Sequence, residues 1–484
     1  MENKTVSHLN IRDIALRDNF TLAEKFNFGA IYLIFIFITW LPYSRSIMLL
    51  GFIFLLCCAS FINVKVHERV HPFLIDKLLL KAALLILGPL VLLLIYFITG
   101  IETSLANISY ENSAFASLKS SYTLWNTNPL KDSRWGEFLA LIALFSLCTH
   151  LFIIPKSLYF INKFLGWCTL NVGALTLIGF LYKATGLNKP LFVQDSGAND
   201  FFFYFAYDGF WAAFAIMWVF VSYALSVIEY EKGSLLFIET SAPIYLTISI
   251  LLASTALIIE ADLPAAFLAL SYSIVCYQKI KFFSSEKEAV FKSIKPYCIL
   301  LFLISFLYGI YKLIISYPSD DQMIYLKQSA LEIFYDSPIF GWGIDAFQVL
   351  SPFYNDAHLL AVHHESAPTG VLSILVEFGL FGALIIALYA SFFFIRYHIL
   401  KQENPFSNNI LTGLFIVLIL AFFEAPFYSL PVLLSFWILV FCAFRWADLL
   451  AKNPDEVDTQ LPLITNYKLR NVPFVTKPKK EVFK

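Results

Sequence analysis

DSPIFGWGIDAF (336–347) and HHESAPTGVLSILVEFGLFG (363–382) are the two runs on which the reading of this chain turns. They lie in one polar, aromatic-bearing stretch from Pro318 to Gly382, with apolar sequence on either side. Three of the chain's 8 histidines, His358, His363 and His364, fall inside it. Loops of this length are uncommon without a function, so chemistry is sought here first.

Outward from that stretch the composition is 59% hydrophobic, 18% aromatic and only 14% charged, which excludes a soluble globular domain. The apolar runs are continuous over roughly 20 residues, the length a helix needs to cross about 30 Å of hydrocarbon, and do not alternate as barrel strands do. The expected fold is therefore an all-α polytopic membrane protein. Apolar runs at 28–43, 47–64, 79–99, 137–155, 166–184, 207–228, 243–260, 264–280, 297–317, 370–395, 409–424 and 428–447 give about 12 transmembrane helices. The chain then divides into an N-terminal segment (1–27), helices 1–9 (28–317), a large loop (318–369), helices 10–12 (370–447) and a tail (448–484). The seven cysteines fall in or at the ends of apolar runs with no C-x-x-C pair, so they read as small core residues.

Lysine and arginine set the expected orientation. Lys4, Arg12, Arg17 and Lys25, the loop from Lys65 to Lys81, the cluster Lys279, Lys281, Lys287, Lys292 and Lys295, and the basic tail all fall on one side, together with most of the 34 basic residues. By the positive-inside rule both termini are cytoplasmic and the 318–369 loop is periplasmic.

Within the loop, Met323, Leu326, Ala330 and Phe334 recur at helical steps and predict a short surface helix over 323–334. Ser337-Pro338 ends it, because proline disfavours helical geometry in the residue before it. Gly341-Trp342-Gly343 then makes a tight turn. Its glycines suit a backbone passing close to a sugar or to another helix, and a purely structural turn with an interfacial tryptophan fits equally well.

A helix followed by P-x-x-G-W-G-x-x-x-F (Pro338, Gly341, Trp342, Gly343, Phe347), then by L-x-x-L-x-E-x-G-x-x-G (Leu372, Leu375, Glu377, Gly379, Gly382), resembles the large periplasmic loop and following helix of the O-antigen ligase and O-antigen polymerase superfamily. YDGFWAAF (207–214) is similar to that family's small-residue-rich helix. The resemblance implies a metal-independent glycosyltransferase of the bacterial inner membrane, without a cofactor. Its donor would be an undecaprenyl-diphosphate-linked glycan, its acceptor a polysaccharide or lipid, and its surroundings membrane lipids; no nucleic acid is expected. In the family a loop histidine before the L-x-x-L-x-E-x-G helix helps deprotonate the acceptor, and outer-face arginines hold the diphosphate. Here the histidine position falls on Pro368, with His363 and His364 slightly earlier. The arginine positions fall near Met323 and around Glu260, Ala261 and Asp262.

His364, with His363 as substitute, is the expected proton acceptor, since a neutral imidazole can take a proton from a sugar hydroxyl and Glu365 can orient it. The alternative leaves these histidines as ordinary headgroup-level loop residues. A zinc-protease site fails, because Pro368 stands where H-E-x-x-H requires histidine, and no metal ligand spacing is recognised. Lys327 and Arg134 are the expected diphosphate cations. Trp342, Gly341, Gly343 and Glu377 complete the expected substrate-binding set. Glu424, in the apolar run before Pro426, reads as a helix–helix hydrogen-bonding residue. The competing class is a transporter or non-catalytic relative that binds lipid-linked glycans. A transporter calls for inverted repeats or broken helices with charged midplane residues, and the sequence displays no such internal symmetry.

Overall fold

The computed structural model describes residues 22–40, 110–111, 114–115, 151, 158–185, 205, 207–231, 240–285, 289–316, 321–342, 347, 350–351, 354, 367–399 and 404–451. The helices are α1 (Leu22–Trp40), α2 (Leu158–Thr185), α3 (Asp208–Glu231), α4 (Ala242–Ser254), α5 (Asp262–Ser285), α6 (Ala289–Ile315), α7 (Asp321–Asp336), α8 (Gly370–Ile399), α9 (Pro405–Leu420) and α10 (Leu430–Ala451). Two-residue strands, β1 (Tyr110–Glu111) and β2 (Ala114–Phe115), pair antiparallel with Tyr110 opposite Phe115.

The fold is helical, and 6 of its described helices are long and apolar enough to cross a bilayer: Leu158–Thr185, Asp208–Tyr230, Asp262–Ser284, Lys292–Ile315, Gly370–Leu388 and Leu430–Leu450. Shorter apolar helices cover Phe28–Trp40, Ala242–Leu257 and Pro405–Leu420. The expected spans 47–64 and 79–99, and nearly all of 137–155, lie outside the described residues, as do Arg134, Gly343, His358, His363, His364 and Glu365.

α3 is the central post. It is apolar on every side and carries Ala212, Ala213, Ala215 and Ala224 between Trp211, Phe214, Trp218 and Phe220, all of them buried. A helix without a polar face is stable only when surrounded, and α2, α4, α5, α9 and α10 pack around it. Its two indoles are satisfied across helices: Trp211 Nε1 donates to Thr255 Oγ1 (3.0 Å) and Trp218 Nε1 to Ser435 Oγ (3.3 Å). α6 is the opposite case. It packs on α5 yet exposes Leu300, Leu303, Leu307 and Ile314, as a lipid-facing helix does.

Lys279, counted by its sequence position with the basic cluster of one side, is only 1% exposed. It lies inside the bundle, donating to Ser249 Oγ (3.1 Å) with the Tyr272 and Tyr223 rings beside it. A charge pattern along a helix does not say which face a given lysine occupies. The tenth expected span, 370–395, is not one continuous helix: Gly379 has φ 64° and ψ −170°, so α8 consists of two pieces meeting at that residue.

The starts of α3 and α5 lie together, because Asp208 Oδ2 accepts the Ala261 N–H (2.6 Å). The last turn of α6 is at the same end, where Lys312 pairs with Asp262 (2.6 Å). The start of α8 and the turn between α9 and α10 also lie there: the Gly370 N–H donates to the Glu424 carbonyl (2.7 Å) and the Val371 N–H to that of Ala421 (3.2 Å). One end of the bundle thus gathers segments from distant parts of the chain.

Candidate functional site

α7 runs over 321–336 where the hydrophobic spacing predicts 323–334, and it ends at Ser337-Pro338. Its inner face is Leu326, Ala330 and Ile333, fully buried against Phe347, Leu350, Ala367 and Val376, with Phe334, Trp342, Tyr354 and Leu372 at the margin. Ile333 takes the interior position that the sequence stripe assigned to Phe334, since the side chain at one step less completes the narrower face. Beyond the helix, the Ser337 hydroxyl donates to the Gly341 carbonyl (2.9 Å) and the Gly341 N–H to that of Ser337 (3.1 Å), closing the turn.

That turn fills the break in α8. A helix interrupted at Gly379 leaves carbonyls and N–H groups near it without their usual partners, and buried backbone groups must find others. The Trp342 N–H donates to the Val376 carbonyl (2.8 Å), the Leu380 N–H to Pro338 (2.9 Å) and the Phe381 N–H to Ile339 (2.9 Å). The two expected motifs are therefore one structural unit. Such contact requires both backbones to come very close, and a Cβ added to Gly341 would lie 2.5 Å from the Glu377 carbonyl oxygen. The turn is structural, and its Gly341 makes the close approach to another helix that the sequence suits. The indole N–H of Trp342 is committed to the Ile333 carbonyl (2.6 Å).

Glu377, two residues before the break, is 8% exposed. Its Oε1 accepts from the Ser373 hydroxyl (3.1 Å) one helical turn earlier and from the Tyr428 hydroxyl (2.9 Å) across the bundle. Tyr428 belongs to the short 3₁₀ turn Pro426–Tyr428 that opens after Glu424. Thr369, just before α8, caps it through its side-chain oxygen, which accepts the Leu372 N–H (3.1 Å).

Glu424 and Tyr207 were expected inside spans 409–424 and 207–228. Both instead stand outside the helices, Glu424 in the turn beyond α9 and Tyr207 ahead of α3. The Tyr207 hydroxyl donates to Glu424 Oε1 (3.3 Å). Burial pushes the Glu424 carboxyl up to about 7; the Tyr207 hydrogen bond pulls down, nearby Asp208 pushes up, and Lys327 pulls down. Burial, and next the Glu424 and Asp208 charges, hold the Tyr207 phenol well above its usual range. Lys327 on α7 is half-buried and faces this carboxyl without closing an ion pair on it.

Of the expected set, Lys327, Gly341, Trp342 and Glu377 come to this one end of the bundle. Asp336 on α7 is tied to the loop by the Tyr354 hydroxyl, which donates to its carboxylate, and burial, followed by that bond, raises the Tyr354 phenol above its usual range. The sequence marks Glu424 as a hydrogen-bonding residue between helices, and it does not single out Tyr207 as its partner, or Tyr428, Ser373 and Thr369 at all. Nothing local could have paired Glu424 with Tyr207, which are 217 residues apart. The chain matches none of the known protein-family models, and no curated protein matches it.

Proposed function

We propose that this protein is a membrane glycosyltransferase that moves a glycan from undecaprenyl diphosphate to an acceptor hydroxyl at the periplasmic face of a bacterial inner membrane, with both termini cytoplasmic. The observation that carries the reading is the docking of the P-x-x-G-W-G turn into the break of the L-x-x-L-x-E-x-G helix. It makes the two stretches that resemble the O-antigen ligase and polymerase superfamily a single unit, with Lys327, Glu377 and Glu424 around it.

A cation beside carboxyl groups at a bilayer end suits the reaction. The lipid diphosphate supplies the leaving group and needs positive charge as the bond breaks, while the acceptor hydroxyl must lose a proton. Lys327 is the cation this reading assigns to the first task. About twelve spans, with the 318–369 loop between the ninth and tenth, form the scaffold of this reading. We place the protein with polymerases ahead of ligases because the ligase arginine positions hold Met323 and the Glu260–Asp262 run.

A second reading has one observation in its favour. A broken helix with a buried carboxylate beside the break is a transporter feature, and Gly379 with Glu377 has that form. Deleting the gene separates these outcomes. Loss of a polymerase leaves single repeat units on the final acceptor, and loss of a ligase accumulates long lipid-linked chains. Loss of a transporter leaves lipid-linked glycan on the cytoplasmic side. An unchanged polysaccharide profile refutes all of them.

A further inference from the structure

We propose that the Glu424 carboxylate, held by the Tyr207 hydroxyl in the turn between α9 and α10, takes the proton from the acceptor hydroxyl. The assignment rests on the glycan-transfer reading above and names a group within that same site.

Three neighbouring carboxylates are already engaged. Asp208 accepts the Ala261 N–H at 2.6 Å, Asp262 is paired with Lys312 at 2.6 Å, and Glu377 accepts from both Ser373 and Tyr428. Glu424 receives one side-chain hydrogen bond among the described residues, the long one of 3.3 Å from Tyr207. Its backbone is fixed on both sides, because its N–H donates to the Leu420 carbonyl (2.9 Å) and its carbonyl accepts from Gly370 (2.7 Å). The result is a carboxyl group on a rigid turn with accepting capacity to spare, which is what a positioned base requires. Lys327 faces the same group from α7 and, among the described residues, has no ion-pair partner.

In the step, the acceptor hydroxyl gives its proton to Glu424 and its oxygen forms the new bond to the anomeric carbon. The bond from that carbon to the diphosphate oxygen breaks, and undecaprenyl diphosphate leaves with the electron pair opposite Lys327. Glu424 then returns the proton to water. Among the described residues, the charged and titratable groups around Glu424 are Tyr207 and Asp208 at the start of α3 and Lys327 on α7, with Glu377 of α8 and Tyr428 beyond them. A carboxyl titrating at about 7 is ionised enough to accept a proton at neutral pH and basic enough to hold it.

The test uses the full chain in proteoliposomes, with an undecaprenyl-diphosphate-linked repeat unit as donor and acceptor, and reads transfer against pH. Glu424→Gln is expected to lower kcat by about 10²-fold or more, to leave KM for the lipid donor unchanged, and to abolish the rise in rate near neutral pH. Tyr207→Phe removes a hydrogen bond that favours the ionised form, so the rise moves to higher pH. Wild-type kcat in Glu424→Gln, or a retained rise as expected were His364 the base, overturns the proposal. If Glu424→Gln does not accumulate in the membrane, Tyr207→Phe decides: an unmoved rise overturns it. A wild-type protein that transfers no glycan overturns the underlying reading, whereas an active wild type with an unaffected Glu424→Gln overturns this assignment alone.

Discussion

Gly341 and Gly379 meet backbone to backbone: a Cβ built on either would lie 2.6 Å from the amide nitrogen of the other. Both have positive φ, 71° and 64°, a region that side chains disfavour. The contact is where the loop after α7 replaces the missing hydrogen bonds of α8, so the position of α7 relative to the bundle depends on two residues without side chains.

Substituting either glycine should therefore unseat the loop. Gly341→Ala and Gly379→Ala are each expected to cost about 1–3 kcal/mol, read as a lowered Tm of the purified protein in detergent. Gly29→Ala is the control, since a Cβ there meets nothing within 4 Å, and its Tm should be unchanged or slightly raised.

The buried Glu377 should be coupled to its donor across the bundle. Tyr428→Phe leaves a buried carboxylate short of a hydrogen bond and is expected to cost about 1–3 kcal/mol. A double-mutant cycle of Tyr428→Phe with Glu377→Gln checks this, with a coupling of at least about 0.5 kcal/mol expected. Additive losses would show that the 2.9 Å bond carries no stability.

How much of this was legible in the sequence depends on how local each feature is. α7 was readable to within about two residues because its stripe and its Ser337-Pro338 stop are adjacent in the chain. The close-approach role of Gly341 was one of two open readings, as a G-W-G run says that space is tight without saying what approaches. The break at Gly379 was not readable: its immediate neighbours Phe378 and Leu380 are apolar, and the bonds that replace the helix come from residues 338–342. The hydrogen-bonding role of Glu424 is legible, but its partner is not, for the same reason. A glutamate before proline at the end of an apolar run looks like the end of a span, and only the fold brings Tyr207 to it.

Stability should fall as pH rises towards neutrality. The Glu424 carboxyl titrates at about 7 in the folded chain against an ordinary value of 4.5. Its contribution is thus fully present below about pH 4.5 and is lost as pH rises through about 7. Between those limits Tm is expected to drop, by on the order of 1 kcal/mol of stability per pH unit at most, and Glu424→Gln should flatten that part of the profile. An identical slope in the variant would mean that another group titrates there.

Lys327 should matter for its charge. Lys327→Gln is expected to reduce kcat/KM for the lipid-linked donor by about 10-fold or more, with Lys327→Arg retaining part of the activity. Equal activity in wild type and Lys327→Gln would remove it from diphosphate binding.

The loop should face the periplasm. With the native cysteines replaced, Gln348→Cys is expected to react with an impermeant maleimide once the outer membrane is opened. Reaction only after the inner membrane is permeabilised would reverse the topology.

The most direct measurement is glycan transfer by the purified protein in proteoliposomes containing an undecaprenyl-diphosphate-linked repeat unit, with no nucleotide sugar added. The account predicts a longer glycan and the release of one undecaprenyl diphosphate for each linkage formed. A donor that stays intact, whether it stays in place or crosses the bilayer, would contradict it.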